Sequence, residues 1–239
     1  MHMLCAEVLS TCDWRDHHFV RDYELVISTI ITAKMPLSSS AVKSLHRAHL
    51  SLEVNEVLRP LRSVLTGFVN ESHPIQIIHL SFHDFLTYRP QFSSVRDRFQ
   101  VNEREHSQRL ALLCLRVMNE DLMPGIPGTG YLVESLLGKE GIPSLEESQV
   151  AEVLWYACRF WAEHIIEVEG SVLEALLGPL HQFLTEKLIL WMEVLNSRYP
   201  FQTLHRVREW LQVSVLCNKL RLLAEGCIQR GHFRLSRHF

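Results

Sequence analysis

Residues 75–88 read IQIIHLSFHDFLTY, a stretch that combines a short apolar run, a histidine and the start of a helix. The run that begins at Ile75 has the length and β-branched composition of a strand. Ser81 and Asp84 fit the S-x-x-D pattern of a capping box, which predicts that a helix begins directly after His79. His79 therefore stands at a strand-to-helix junction. Three roles are open for it: a core residue, a metal ligand, or a donor to a phosphate.

Three predicted helices precede this stretch. Apolar residues recur at helical spacing within Asp22–Lys34, and Pro36 ends that helix. The serines that follow are N-cap candidates for a second helix near Ala41–Leu45. Ser51 is the predicted cap of a third amphipathic helix, in which Pro60 introduces a kink or shifts the boundary.

Two β-like runs, SVLTGFV at 63–69 and PIQIIHL at 74–80, flank the turn-rich segment NESHP and could pair as a hairpin. Three helices followed by a small hairpin is the order of elements in a winged helix, which we place at residues 19–90. We expect residues 1–18 to be a frayed end or the remnant of an upstream NTPase domain.

From residue 91 to residue 239 the pattern is almost entirely helical, apart from a Gly/Pro-rich loop near 123–148. One helix is predicted from about Ser148 to Val168, followed by one long helix or by two short helices broken near Gly178–Pro179. A last long helix is predicted after Pro200. Consecutive amphipathic helices of this kind predict a helical connector or bundle over 91–239. The fold class is therefore mainly α, a winged-helix unit followed by an α-helical bundle. The tryptophans are the core candidates: Trp155, Trp161, Trp191 and Trp210.

The charge and the cysteines narrow the class of protein. A net charge of −3 offers no basic surface for nucleic acid or for an acidic membrane. No window is long and apolar enough to span a membrane, and the N-terminus lacks the pattern of a signal peptide. The cysteines lie far apart without a C-x-x-C pair, which favours buried thiols in a reducing, cytoplasmic compartment over disulfides. They are Cys5, Cys12, Cys114, Cys158, Cys217 and Cys227.

Motifs for catalysis and metal binding are weak. GIPGTG at 125–130 follows a helix and lacks the G-K-[ST] of a phosphate loop, and the segment around Lys139 has no matching glycine. None of the fourteen histidines pairs with another His or Cys at ligand spacing, so no metal site is predicted. A winged helix can also read DNA, but Glu53 and Glu56 accompany two arginines on its third helix. This balance of charge disfavours DNA as a partner.

The element order and the motif around His79 resemble the winged-helix part of NACHT-type STAND NTPases. The resemblance is closest to the large fungal NOD-like receptors, in which a NACHT module precedes WD or ankyrin repeats. The residues that match an I-x-x-x-H-x-S-F-x-D-F-L pattern run from Ile75 to Leu86. RLALLCLRVMNEDL and LWYACRFWAEHI look like the helical segment that this family places between the NTPase core and the repeats. The resemblance covers roughly residues 19–225.

The resemblance implies that His79 contacts the β-phosphate of bound ADP, because the matching histidine of the family does so. An imidazole N–H at the start of a helix is a reasonable donor to an anion. The Walker motifs of the family belong upstream and are not found here, so we expect no cofactor in this chain itself. ATP or ADP would be held by a separate NACHT core.

The implied function is a non-catalytic regulatory segment that couples nucleotide state to a downstream repeat sensor in non-self recognition and innate immunity. Oligomerisation on activation is implied as well. Three alternatives stay open. In the first, His79 has no ligand and only caps local backbone. In the second, the chain is a winged-helix DNA-binding regulator with a helical partner domain. In the third, it is a helical enzyme for which no residues can be nominated.

Overall fold

The computed structural model describes residues 2–47, 49–87, 99–126, 129, 145–168 and 172–197, with residues 209 and 212. By its contacts the chain divides into two compact units, Met1–Phe201 and Gln202–Phe239. All helices and strands below belong to the first unit. The described residues are mainly helical with one two-stranded sheet, which confirms the mainly α prediction. In chain order the elements are α1 His2–Ser10, α2 His17–Thr32, α3 Ser39–Leu45, α4 Val54–Leu58, β1 Leu65–Thr66, β2 Gln76–Ile77, α5 Leu80–Thr87, α6 Glu103–Asp121, α7 Glu152–Ile165, α8 Val172–Gln182 and α9 Leu188–Asn196.

The first helices begin where short polar side chains can cap them. Asp16 caps α2 by accepting the His18 N–H, so this helix begins five residues before the predicted Asp22. Ser38 caps α3 by accepting the Ala41 N–H at 3.1 Å, which confirms a serine cap for the second helix. Such caps satisfy backbone donors that have no partner within the helix.

The predicted cap at Ser51 is wrong. Helix α4 begins at Val54 after Glu53, and no side chain caps it. The N–H groups of Ser51 and Leu52 instead donate to the fully buried carboxylate of Asp22, at 2.8 and 2.7 Å. A buried carboxylate requires donors, and the chain before α4 supplies them. A 3₁₀ turn that contains Pro60 follows α4, so the proline shifts the helix boundary as predicted.

The predicted hairpin forms, but its strands are shorter than the apolar runs. Strands β1 and β2 are antiparallel and two residues long, and Leu65 lies opposite Ile77. The second strand is also tied to the segment before α3, because the Ile75 N–H donates to the Leu37 carbonyl at 2.8 Å. Gly67 turns the chain with a φ of 90°, and an added Cβ would overlap the Pro74 carbonyl oxygen. The turn therefore requires glycine.

Aromatic side chains from α7 to α9 form much of the second half of the core. Trp161 and Trp191 meet edge to face with ring centroids 6.0 Å apart, and both are 1% exposed. Trp155 is also buried, so three of the four predicted tryptophans are confirmed as core, and Trp210 lies outside the described residues. The four described cysteines are confirmed as buried free thiols: Cys5, Cys12, Cys114 and Cys158. Cys217 and Cys227 lie outside the described residues.

Of the two alternatives for the next segment, the break near Gly178–Pro179 is not observed. Helix α8 continues through Pro179 to Gln182, and the irregular turn is a π segment at Phe183–Lys187. Buried Leu176 and Leu180 lie on the packed face of α8, and this packing outweighs the loss of one backbone donor at the proline. The predicted helix from Ser148 is shorter than expected, as α7 covers only Glu152–Ile165.

Helices on both sides of the predicted boundary at residue 90 pack together, although residue 90 itself lies outside the described residues. Helix α2 packs against α6, and α3 packs against α7. Polar contacts join the same elements, since Glu152 accepts from the backbone and hydroxyl of Ser38 and Arg47 pairs with Asp121. Within the predicted remnant at 1–18, α1 packs against α5, and its Leu9 is fully buried.

Candidate functional site

The structure places His79 between β2 and α5, at the strand-to-helix junction that the sequence predicts. Its side chain is exposed, and so are its two neighbours, with Ile78 at 56% and Leu80 at 70% exposure. His79 is therefore a surface group and not a core residue.

The ring of His79 caps α5. Its Nδ1 accepts the backbone N–H of Ser81 at 3.0 Å, and its carbonyl accepts the N–H of Phe82 at 2.9 Å. The predicted capping box of Ser81 and Asp84 is wrong, because α5 begins at Leu80 and places Ser81 inside the first turn. The histidine ring takes the place of the serine hydroxyl.

The cap also determines the tautomer of His79. Because Nδ1 accepts a hydrogen bond, the proton of the neutral ring resides on Nε2, and Nε2–H is its remaining donor. The first turn of α5 carries no acidic residue, so nothing there opposes the positive end of the helix. The junction can thus offer an imidazole N–H to an anion while the other nitrogen holds the helix start.

A second histidine, His164, lies in a buried polar network that the sequence does not indicate. Its Nδ1 lies 2.8 Å from Ser107 Oγ on α6, and its Nε2 lies 2.8 Å from the Tyr156 hydroxyl. Lys34 makes two contacts beside this network. Its backbone N–H donates to the Tyr156 hydroxyl, and its Nζ lies 2.9 Å from the Glu167 carboxylate.

The Tyr156 hydroxyl accepts the Lys34 N–H and satisfies its own proton by donating to His164 Nε2. In that arrangement the ring proton is on Nδ1 and faces Ser107 Oγ. Burial, together with the charge of Lys34, lowers the pKa of His164 to about 4, which keeps this ring neutral.

The network contains a serine and a histidine at hydrogen-bond distance, but it is enclosed. Ser107 and His164 have no exposed surface, and Tyr156 is 1% exposed. A nucleophile must be reachable by its substrate, and this serine is not. The network therefore joins the end of α2 to α6 and α7, and it does not present a reactive group to a substrate.

Across the described residues, no group of three or more His, Cys, Asp or Glu side chains could hold a metal ion. In the same part of the chain, every helix is too short or too polar to cross a membrane.

Comparison with known proteins adds no relative. No protein-family model matches the chain, and neither a curated protein nor a solved structure matches it significantly.

Proposed function

We propose that this chain is the winged-helix and connector segment of a NACHT-type STAND signalling NTPase. In this proposal the segment is non-catalytic and cytoplasmic. It closes over a nucleotide held by a separate NACHT core and links that core to a downstream repeat sensor in non-self recognition. Exchange of ADP for ATP would release the closed state and allow oligomerisation.

The observation that carries the proposal is the geometry of His79. The ring is exposed, its Nδ1 is held by the first turn of α5, and its tautomer leaves Nε2–H as the outward donor. A buried ring, or a helix in place of β2, would have removed the phosphate role. Exposed Ile78 and Leu80 on either side would be covered when the NTPase core docks.

The surrounding elements support a winged helix at residues 19–87. Helices α2, α3 and α4 come first, and the β1–β2 hairpin follows them. The hairpin is anchored to the segment between α2 and α3, because Pro74 forms a β-bridge with Ser38. This anchoring gives the hairpin a fixed position relative to α3, as a wing requires.

A coupling role is supported by the contacts between this unit and the later helices. The cap of α3, Ser38, is bonded by Glu152 at the start of α7, and Lys34 at the end of α2 pairs with Glu167 just after α7. A displacement of α7 would therefore pull on the ends of two winged-helix elements. Packed elements joined by polar contacts of this kind transmit small shifts to one another.

The DNA-binding alternative receives less support. Helix α4, which would be the recognition helix, is only five residues long. Its N-cap is Glu53, and Glu56 lies exposed within it, so two carboxylates would face the phosphate backbone. A gel-shift titration at two salt concentrations tests this alternative, and salt-sensitive binding of duplex DNA would favour it over our proposal.

The first experiment measures nucleotide binding by the chain alone. We expect no ATPase activity and no heat of binding when ADP or ATP is titrated in calorimetry, because the phosphate-binding loop belongs to another domain. ATP binding in the micromolar range would contradict the proposal.

The second experiment separates the phosphate role of His79 from its capping role. The probe is the purified NACHT core of a fungal NOD-like receptor loaded with ADP, and the measurement is its association with this chain. His79→Asp keeps an N-cap acceptor but turns a carboxylate toward the phosphate, so stability should be retained while association falls by at least about tenfold. His73→Ala, an exposed histidine of the same hairpin, is the matched control and should change neither quantity. Equal association of wild type and His79→Asp would refute the phosphate role.

A further inference from the structure

A cluster of basic side chains lies where α2, the end of α3 and α6 meet. Its centre is His46, the residue that follows α3 and is 1% exposed. Four basic side chains face this ring, one from the turn after α3 and three from α6: His49, His106, Arg109 and Arg116. A positive charge on the His46 ring would therefore be surrounded by others of the same sign.

Few acids are placed to offset such a charge. Helix α2 contributes Arg21, which pairs with the buried carboxylate of Asp22, and Glu24, which lies 3.8 Å from Arg109 and 4.0 Å from His106. The other charged side chains on α3 and on the elements packed against it have partners of their own. They are Lys43 with Glu53, Arg47 with Asp121, and Glu152 with Ser38.

The hydrogen bonds of His46 show where a second proton would go. The Thr29 hydroxyl donates to the Leu25 carbonyl at 2.8 Å, so it accepts from His46 Nε2, which lies 2.7 Å away. The neutral ring thus carries its proton on Nε2. Nδ1 is enclosed and has no hydrogen-bond partner among the described residues. Protonation in place would create a buried, charged N–H without an acceptor, which is costly.

The turn that contains His46 is held to α6 by one arginine. Arg116 donates through Nη2 to the Leu45 carbonyl at 2.6 Å and through Nη1 to His49 Nε2 at 3.4 Å. A protonated His49 ring could not accept this second bond and would place a further cation beside Arg116. Protons taken up by either histidine therefore act against the same attachment.

We infer that the turn after α3, residues 46, 47, 49 and 50, is an acid-sensitive latch between α3 and α6. At neutral pH the His46 ring lies closed between α2 and α6. In acid the turn opens, the ring takes up its second proton in water, and the Leu45 carbonyl separates from Arg116. Because α3 and α6 lie on opposite sides of the predicted boundary at residue 90, opening weakens the contact across it. The latch shares no residue with the His79 junction and is independent of the proposed function.

The size of the effect follows from the two environments of the ring. Burial, followed by the charges of His49 and Arg109, lowers the pKa of His46 to about 4 in the closed turn. In the open turn the ring should titrate near its ordinary value of about 6.5. The ratio of open to closed turns should therefore rise about 30-fold between about pH 7.5 and about pH 5.

Hydrogen exchange of the full chain, followed by NMR in low concentrations of urea, measures this ratio. The reporters are the backbone amides of His46 and His49, which donate to the Val42 and His46 carbonyls. After correction for the intrinsic pH dependence of exchange, their opening should increase about 30-fold on acidification. A local opening exposes little surface, so this increase should not depend on urea, whereas exchange through global unfolding should.

Two variants assign the effect to the ring. His46→Gln keeps a donor for Thr29 but cannot be protonated, so its turn should lose the increase. His73→Gln removes an exposed histidine of the hairpin and should retain the full increase.

A third measurement needs no variant and decides the matter if His46→Gln does not fold. In ¹⁵N spectra of the wild type the His46 ring should be neutral, with its proton on Nε2, down to about pH 5. The inference is overturned if this ring is protonated in the folded protein at about pH 6. It is also overturned if the turn exchanges only through urea-dependent unfolding, or if His46→Gln keeps the increase.

Discussion

Mild acid should destabilise this fold because buried histidines are held neutral. His46, His106 and His164 are all buried, and burial lowers the pKa of each. The pKa of His46 and of His164 is lowered to about 4 in the folded state, mainly by burial. In the unfolded chain both rings should titrate near the ordinary value of about 6.5. The unfolded state therefore takes up protons first, so stability is complete above about pH 6.5 and is lost as the pH falls toward about 4.

The magnitude follows from these two values. For one histidine, the difference in proton binding between about pH 7.5 and about pH 5 lowers the free energy of unfolding by about 2 kcal/mol. Two independent histidines give about 4 kcal/mol, a large part of the stability of an ordinary domain. Above about pH 5 few carboxylates titrate, so the histidines should dominate this interval.

Urea unfolding followed by tryptophan fluorescence measures the effect, because Trp161 and Trp191 are buried in the folded state. In His164→Gln the free energy of unfolding should be lower at neutral pH, since the network to Ser107 and Tyr156 is disturbed. Its fall between about pH 7.5 and pH 5 should be smaller than that of wild type by about 2 kcal/mol.

His181→Gln is the matched control, because His181 is an exposed histidine on α8. This variant should retain the full pH dependence of wild type. The reasoning fails if wild type keeps its stability down to about pH 5, or if His164→Gln loses as much as wild type does.

Two further predictions concern the backbone and the thiols. Gly67→Ala should lower the free energy of unfolding by about 2–4 kcal/mol, because φ is positive and the new Cβ would overlap the Pro74 carbonyl. Gly178 lies within α8 with open space around it, so Gly178→Ala should instead raise the free energy of unfolding by about 0.5–1 kcal/mol. If urea titrations show the same effect for both variants, the requirement for glycine at position 67 is contradicted. Burial raises the pKa of the Cys114 and Cys158 thiols, so iodoacetamide should label them only when urea unfolds the protein. Peptide mapping measures the labelling, and labelled thiols in the folded protein would contradict their burial.

The features predicted correctly from the sequence are those that depend on a few neighbouring residues. A serine before an apolar stretch predicts the cap of α3, and two β-branched runs around a turn predict the hairpin. Two of the errors come from contacts with distant parts of the chain. Ser51 does not cap α4 because its segment donates to Asp22 on α2, and Pro179 does not end α8 because the helix face is buried.

The position of His79 was predictable, but the sequence left open whether its ring caps local backbone or reaches a ligand. Its place between strand and helix follows from the apolar run and the amphipathic helix on either side. Whether the ring points to the core, to solvent or to its own helix depends on what packs around the junction. The ring turns back to the Ser81 N–H, and this contact leaves only one nitrogen for a ligand.

The sequence by itself determined the mainly α class, the order of the elements around His79, and the burial of the tryptophans and cysteines in the described residues, because periodicity and hydrophobicity act over short distances. Only the tertiary structure decided which polar groups meet. Ser107 and His164 are 57 residues apart in the chain, and His46, which follows α3, bonds Thr29 of α2. Helix packing brings such groups together, and the pKa values of the buried histidines depend on that packing.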